Sequence, residues 1–278
     1  MHPYKNQRAV LTTKHDKLAL IAPAMLETIG LEVSEVKLDT DQLGTFSGEI
    51  PRIGSPLDSA IAKAKLGIEA TGIELALASE GSVGPDSQNP FLTSNIELVV
   101  LVDLQRDLVI HEVHRSFEIV AASREVTPGE DLSEFLAGID FPNHRLIAKS
   151  VGIEPMKAIK GIDSELALTS AISELAGVSG RVAIETDFRA NQSPSRRLNI
   201  QAASRKLANR LAQLCENCKA PGFGQVRYVT GLKCTGCGMV DPDALAAELL
   251  ACVSCDHEVE GKKLADSLAP ERCQWCNP

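Results

Sequence analysis

The chain has 278 residues and a formal net charge of -9 at pH 7. That length can bury a full hydrophobic core and predicts about two domains. The acidic balance argues against a nucleic-acid partner held through its phosphates, since such binding needs clustered lysine and arginine. No apolar run approaches the ~20 residues that cross a bilayer, and the first residues lack the apolar core of a secretory signal. We therefore expect a cytoplasmic protein with no membrane segment.

Predicted strands and helices alternate along most of the chain. A strand at residues 8–12 precedes a helix at 18–29, and a second strand follows at 31–38. Two Val-, Leu- and Ile-rich runs, 96–103 and 108–114, form a predicted β-hairpin. Later elements are a helix at 131–137, a strand at 145–149, a helix at 163–176, a strand at 181–188 and a helix at 198–214. This order predicts an α/β fold with a mixed sheet flanked by helices.

The stretch from Ser55 to Pro85 contains the first candidate site. Ser55 is a suitable cap for a helix that begins with proline, and apolar residues recur at helical spacing behind it. A short apolar run at 74–79 is a predicted strand that ends in an acidic, glycine-containing turn at Glu80. Asp58 at the helix start and Glu80 at the end of the strand are candidate metal-binding carboxylates, since a metal site on an α/β sheet is often built this way. Asp58 has an alternative role, since a carboxylate in the first helical turn is favoured by the helix dipole.

A polar loop joins the second strand to this helix. It carries three acids, Asp39, Asp41 and Glu49, between glycine and polar residues. The simpler interpretation is a solvated loop, and the functional alternative is a lid over the site.

A second charged cluster lies near residues 180–197. In a strand with a period of two residues, Glu185, Asp187 and Arg189 share one face, and Arg196 and Arg197 follow before the last helix. These residues can form a second metal and phosphate subsite. They can equally form an ion-paired network that fixes the helix.

All eight cysteines lie in the last quarter of the chain, in four CxxC pairs. They are Cys215 and Cys218, Cys234 and Cys237, Cys252 and Cys255, and Cys273 and Cys276. Pairs at this spacing are a strong signal for Cys₄ zinc ribbons, so we expect two structural zinc ions. The expected sharing is first pair with second and third with fourth. A pairing of first with fourth and second with third stays open.

The segment between the first two pairs predicts a hairpin, because Gly222, Gly224 and Gly231 interrupt it. From Arg210 onward there are seven lysines and arginines against nine aspartates and glutamates. The ribbon is therefore expected to be a structural or protein-contact module, with residues 1–212 and 213–278 as the two domains.

Three segments, TTKHDKL, DSAIAKA and ASEGSVG, resemble successive motifs of the inosine triphosphate pyrophosphatase superfamily. Thr12 and Lys17 stand at the threonine and lysine of the first motif, and Lys14 replaces its asparagine. Asp58 stands at the glutamate of the helical motif. Glu80, followed by glycine, resembles the acidic turn.

The resemblance implies an Mg²⁺-dependent hydrolase that converts a nucleoside triphosphate to a monophosphate and pyrophosphate. Asp58 and Glu80 would hold the ion, and Glu80 would orient the attacking water. Lys14 and Lys17, in the turn that enters the first helix, would bind phosphate oxygens, and Thr12, at the end of the first strand, would also contact the substrate. A small-molecule nucleotide is thus the implied partner.

The whole chain also resembles a bacterial family of unknown function with an E-T-D-x-R-A stretch and C-terminal CxxC pairs. Two functions follow as hypotheses. The first is a nucleotide hydrolase with a zinc-ribbon appendix. The alternative is a non-enzymatic zinc-ribbon protein that contacts protein or nucleic acid.

Overall fold

The computed structural model of the protein describes residues 1–39, 54–177 and 179–278. Within these residues the chain forms three sheets, of five, four and three strands. Asp41 and Glu49 of the predicted polar loop lie outside the described residues, so neither the solvated-loop interpretation nor the lid is tested there.

The five-stranded sheet confirms the predicted mixed architecture. Its strands are β1 Arg8–Thr12, β2 Glu32–Val36, β3 Leu75–Pro85, β4 Thr93–Asp103 and β5 Leu108–Ser116, in the order β2-β1-β3-β4-β5. β1 runs parallel to β2 and β3, whereas β3, β4 and β5 are antiparallel neighbours.

Helices cover both faces of this sheet. α1 (Leu18–Ile29) and α5 (Pro194–Ala212) pack on one face, and α2 (Pro56–Thr71) packs on the other. Val10 and Leu11 of β1 are both buried because successive side chains point to opposite faces and each face has a core. None of the described helices is long and apolar enough to cross a membrane.

The middle of the chain forms a separate antiparallel sheet. Its strands are β6 Ser123–Val126, β7 Leu146–Ser150, β8 Ala158–Ile162 and β9 Val182–Thr186, in the order β6-β9-β7-β8. The helices α3 (Ser133–Gly138) and α4 (Glu165–Leu175) lie in the same part of the chain. Residues such as Leu146, Leu168 and Ile184 form a second core that is distinct from the first.

The predicted acidic turn after residue 79 is wrong. β3 continues to Pro85, and its hairpin with β4 pairs Glu80 with Leu98 and Gly81 with Glu97. β4 is the antiparallel partner of β3, and its backbone hydrogen bonds continue past residue 79, so β3 does not end in a turn there. β1 ends at Thr12, and among the described residues it pairs with β3 only at Ala76 and Leu77. β3 therefore extends beyond the end of β1. We call the space beyond the end of β1, next to Ser79 and Glu80 of β3, the notch.

The C-terminal sheet consists of β10 Gly224–Lys233, β11 Val240–Ala251 and β12 Glu258–Lys263, all antiparallel. The predicted hairpin between the first two CxxC pairs is wrong, because one strand, β10, spans that interval. Gly231, with a φ of 102°, lies at a register shift between Thr230 and Leu232. That glycine thus marks a bulge within a strand.

Candidate functional sites: the notch and two cysteine groups

Lys17 and Ser79 meet on the α1 side of the notch. Lys17 is the N-cap residue of α1, and its Nζ donates to Ser79 Oγ at 2.9 Å. Both residues are buried, with 8% and 6% of their surface exposed. Among the described residues, no carboxylate oxygen lies within ion-pair distance of Lys17 Nζ.

Burial and, to a lesser extent, the positive charge of Arg196 lower the pKa of Lys17 to about 8, while the negative charges of Glu97 and Glu80 oppose the shift. A buried ammonium without a direct counter-ion is costly to maintain. The notch therefore favours a negatively charged ligand near Lys17.

Glu80 faces the opposite side of β3, toward α2. Its carboxylate forms an ion pair with Lys63 Nζ, and both side chains are largely buried. Glu80 also lines a cavity of about 220 Å³. The other lining residues come from the start of α2 and from strands β3 to β5: Ser55, Pro56, Leu57, Gly81, Ser82, Ile96, Leu98 and Val113. The cavity thus has mostly apolar walls and one carboxylate.

Asp58 has a local partner in the structure. Its Oδ2 accepts from the backbone N–H of Ser55 at 2.9 Å and from the Ser55 hydroxyl at 2.7 Å, while its own N–H donates to Ser55 Oγ at 3.2 Å. The Ser55 hydroxyl is the main reason that the pKa of Asp58 is lowered. This capping box is the helix-start role that the sequence offers as the alternative. A catalytic role for Asp58 stays a prediction.

A buried ion pair that sequence reasoning missed lies behind the notch. Arg196 Nε donates to Glu97 Oε1 at 2.6 Å, and Asn95 Nδ2 donates to the same oxygen at 2.9 Å. Asn199 Nδ2 in turn donates to Asn95 Oδ1 at 2.9 Å. A single glutamate in the apolar strand run IELVVLV was the available signal, because a charge there needs a buried partner. Arg196, predicted to bind substrate, thus has a structural partner in Glu97.

Gly81 allows this pair to fit against β3. A Cβ at Gly81 would lie 2.4 Å from Glu97 Oε2 and 2.5 Å from Arg196 Nη2, whereas a Cβ at Gly84 would meet nothing within 4 Å.

We expect Gly81→Ala to lower the free energy of unfolding by about 1–3 kcal/mol through overpacking beside a buried ion pair. Gly84→Ala in the same strand is the matched control and should change it by less than about 0.5 kcal/mol. Urea denaturation of both variants measures the difference. If both variants change the free energy of unfolding equally, the side chains of Glu97 and Arg196 can move to admit a Cβ at Gly81 at little energetic cost.

The other residues predicted at the first site lie at the end of β1 and in the loop after it. Lys14 Nζ contacts Asp39 Oδ1 at 3.2 Å in an exposed pair. Thr12 Oγ1 is buried and has no hydrogen-bond partner among the described residues. A Cβ at Gly67 of α2 would lie 2.1 Å from it, so this glycine lets α2 approach β1 closely.

The second charged cluster divides between different partners. β9 ends at Thr186, and beyond it the buried Asp187 accepts from Arg189 Nε through both carboxylate oxygens at 3.0 Å. Glu185 instead pairs with Lys149 of β7. These contacts agree with the ion-paired alternative, and a subsite at Arg189 stays a prediction.

Arg197 completes the predicted arginine set. Arg197 lies in the first turn of α5, and its Nη1 donates to the carbonyl of Ala190, which precedes the helix, at 3.4 Å. Its role as a phosphate ligand also stays a prediction.

The eight cysteines form two groups of four that can each hold a zinc ion. One contains Cys215, Cys218, Cys252 and Cys255, and the other contains Cys234, Cys237, Cys273 and Cys276. Sulfur-to-sulfur distances of 3.5–3.8 Å occur in the two groups. Four thiolates at ~2.3 Å from one zinc ion in a tetrahedron lie ~3.8 Å apart. The donor set and its spacing therefore fit zinc.

The cysteine pairing differs from both predicted schemes, because the first pair joins the third and the second joins the fourth. Each strand of the C-terminal sheet separates two consecutive pairs. A strand of 10 residues, such as β10, spans ~33 Å, so consecutive pairs lie at opposite ends of the sheet. Pairs two apart return to the same end because neighbouring strands are antiparallel.

Backbone N–H groups point at the sulfurs. The N–H of Gly236 lies 3.3 Å from Cys234 Sγ, and the N–H of Ser254 lies 3.3 Å from Cys252 Sγ. Such donors favour the thiolate. The N–H of Cys237 lowers the pKa of Cys234 to about 7, although burial opposes this.

The fold and the sites define an α/β protein with a charged notch and two Cys₄ groups in a C-terminal three-stranded sheet. The chain belongs to the family described as a domain of unknown function, DUF6671, whose profile matches residues 63–278. No curated protein matches the chain.

One similar solved structure is a nucleoside-triphosphatase, described as a dITP/XTP pyrophosphatase, from Mycobacterium abscessus. It is 16% identical, with a TM-score of 0.27, and the match covers 39% of this chain and 72% of that one. A TM-score this low does not establish a shared fold.

Proposed function

We propose that the notch binds the phosphate groups of a small-molecule nucleotide and that the protein hydrolyses it with Mg²⁺, releasing pyrophosphate. The observation that carries this proposal is the buried Lys17 ammonium. It has three N–H donors, and Ser79 Oγ accepts one of them. Phosphate oxygens are suitable acceptors for the remaining donors, and their negative charge would offset the cost of burying Lys17.

The charge balance around the notch supports an anionic ligand. Three buried or largely buried cations, Lys17, Lys63 and Arg196, adjoin two carboxylates, Glu80 and Glu97. Counted over the residues that the structure describes, the excess is one positive charge. Among the described residues no side chain caps α1 at Lys17. The N–H groups of Leu18 and Ala19 are therefore suitable donors to phosphate oxygens, whereas the N–H of Leu20 donates to the Lys17 carbonyl at 3.0 Å.

Glu80 is the carboxylate best placed to hold Mg²⁺, because it lines the cavity, whereas the carboxylate of Asp58 caps α2. Mg²⁺ in nucleotide enzymes commonly uses one or two carboxylates together with phosphate oxygens. The ion would neutralise charge on the phosphates. Glu80 would also orient a water molecule, and Lys63 would then be free to contact a phosphate oxygen.

Pyrophosphate release from standard and deaminated nucleoside triphosphates with Mg²⁺ tests this function. We expect turnover by the unmodified protein and a fall of at least about 100-fold in Glu80→Gln, the usual effect of losing a general base. Glu174→Gln, an exposed change on α4, should leave turnover unchanged. No turnover on any nucleotide, or equal turnover by Glu80→Gln, would refute the assignment.

We also propose that the two cysteine groups hold structural zinc ions and that residues 213–278 form a separate zinc-binding domain. Metal analysis should give about two zinc ions per chain. Disulfides in place of metal would contradict this. The alternative function, a protein-contact module, is favoured by exposed apolar side chains on the C-terminal sheet, including Val226, Tyr228 and Leu245.

A further inference from the structure

We propose that Ser79 is a nucleophile, activated by Lys17 as its general base, that accepts a phosphoryl group from a phosphate ester or anhydride. This goes beyond the hydrolysis proposed above, since it requires neither Mg²⁺ nor Glu80. The two residues come from separate parts of the chain, the loop after β1 and the middle of β3.

The contact between Lys17 and Ser79 has the geometry of a nucleophile and its base. The distance of 2.9 Å from Nζ to Oγ lies within the range that proton transfer requires. Neither residue faces a carboxylate partner at this contact among the described atoms, so the lysine is not held as half of an ordinary ion pair. With a pKa of about 8, roughly one tenth of the lysine is neutral at pH 7 and able to accept a proton.

The reaction step is balanced by these two groups. Ser79 Oγ attacks phosphorus, so that an Oγ–P bond forms while the bond from phosphorus to the leaving group breaks. The hydroxyl proton passes to neutral Lys17 Nζ, and the leaving group departs with the bonding electron pair. Water can then cleave the Oγ–P bond and restore the serine. The cation Arg196 lies close enough to affect Lys17 electrostatically and would stabilise the added negative charge.

A second serine with a basic neighbour provides an internal comparison. His144 Nε2 lies 3.0 Å from Ser195 Oγ, but the same nitrogen accepts the Ser195 N–H at 3.2 Å. The N–H of Val120 also donates to Ser195 Oγ at 3.1 Å. This serine is held by hydrogen bonds with His144 and Val120, so we expect it to be unreactive.

Labelling of the full chain with diisopropyl fluorophosphate tests the proposal without any nucleotide or metal. The reagent would form an Oγ–P bond to serine and release fluoride. We expect one adduct per chain, located at Ser79 by peptide mass spectrometry. Lys17→Met should slow labelling at least about 100-fold, and Ser195→Ala should leave the rate unchanged.

Adduct formation at Ser79 that depends on Lys17 would support the proposal even if no nucleotide is hydrolysed. An adduct at Ser195, no adduct, or an unchanged rate in Lys17→Met would overturn it. The site is mapped on the unmodified protein, so the result does not depend on whether Ser79→Ala folds. Circular dichroism of Lys17→Met separates loss of the base from loss of the fold.

Discussion

Cys218→Ser is expected to destabilise the α/β part of the chain, whereas Cys237→Ser should leave it nearly unchanged. Both cysteines are exposed second members of a CxxC pair, so the substitutions are chemically matched. They differ in what the two cysteine groups contact.

The group that contains Cys218 is joined to the first core. Val253, between two of its cysteines, packs against that core, and a Cβ at Gly222 would lie 2.7 Å from Ile110 Cδ1. Arg210 of α5 donates to the Gly222 carbonyl at 3.1 Å. The group that contains Cys237 instead belongs to a small cluster with Leu232 and Leu268. If this group holds zinc as proposed, loss of that ion would remove contacts that hold α5 and β5.

Structural zinc contributes roughly 10–16 kcal/mol of apparent binding free energy in small zinc-dependent folds. Only the packing at Val253 and Ile110 transmits this stabilisation to the α/β part. Its contribution to the free energy of unfolding of that part is on the order of 2–4 kcal/mol. Hydrogen exchange of β1 and β3 amides should show this loss for Cys218→Ser. Cys237→Ser should change those amides by less than about 0.5 kcal/mol. Equal protection in both variants would contradict the assignment of one zinc group to the core.

Lys17→Met is expected to stabilise the fold while it removes function. The pKa of Lys17 in the folded protein, about 8, lies below its ordinary value of 10.5 because of burial. Below pH 8 both folded and unfolded chains carry the charge, so the full cost of burying it is present. Between about pH 8 and 10.5 the folded lysine is already neutral and the cost declines. Stability of the unmodified protein should therefore rise with pH across that window.

The fall in the Lys17 pKa from 10.5 to about 8 corresponds to roughly 3 kcal/mol of destabilisation by the buried charge, of which the lost contact to Ser79 offsets part in the variant. Urea denaturation at pH 7 should thus show Lys17→Met more stable by about 1–3 kcal/mol, with the difference shrinking above pH 9. Lys14→Met, in the same loop but exposed, is the control and should show no such pH dependence. A destabilised Lys17→Met would mean that the ammonium already has adequate partners.

Much of the first sheet follows from local sequence pattern. The apolar run of β1 and the helix α1, ended by Gly30 in the left-handed conformation, lie at the predicted residues. The helix predicted at 163–176 is α4, capped by Ser164, whose hydroxyl accepts the Ala167 N–H of the first turn. These features depend on neighbours within a few residues, which a single sequence displays.

Features set by distant pairing were not predicted. Glycine at position 81 resembles a turn residue, but the close approach of Glu97 and Arg196 explains it. The cysteine pairing likewise depends on whether consecutive CxxC pairs are separated by one strand or by two. β6 and β8 were missed because each is short and stabilised mainly by the neighbouring strands of its sheet.

The candidate site shows the same division. Thr12, Lys17, Asp58 and Glu80 were identified by motif, and the structure brings Lys17 and Glu80 to the two faces of β3 at the notch. The contact between Lys17 and Ser79 joins residues 62 positions apart and has no local signal. Periodicity places Lys63 on a different helical face from Asp58, and its partner in the structure is Glu80.

Calorimetric titration of inorganic pyrophosphate at pH 7, without metal, tests most directly whether the notch is an anion site. The account predicts saturable binding by the unmodified protein, unchanged affinity in Lys65→Met, which changes an exposed lysine of α2, and at least about 10-fold weaker binding in Lys17→Met, the effect of losing one charge-assisted hydrogen bond. Absence of binding, or equal affinity in Lys17→Met, would contradict it.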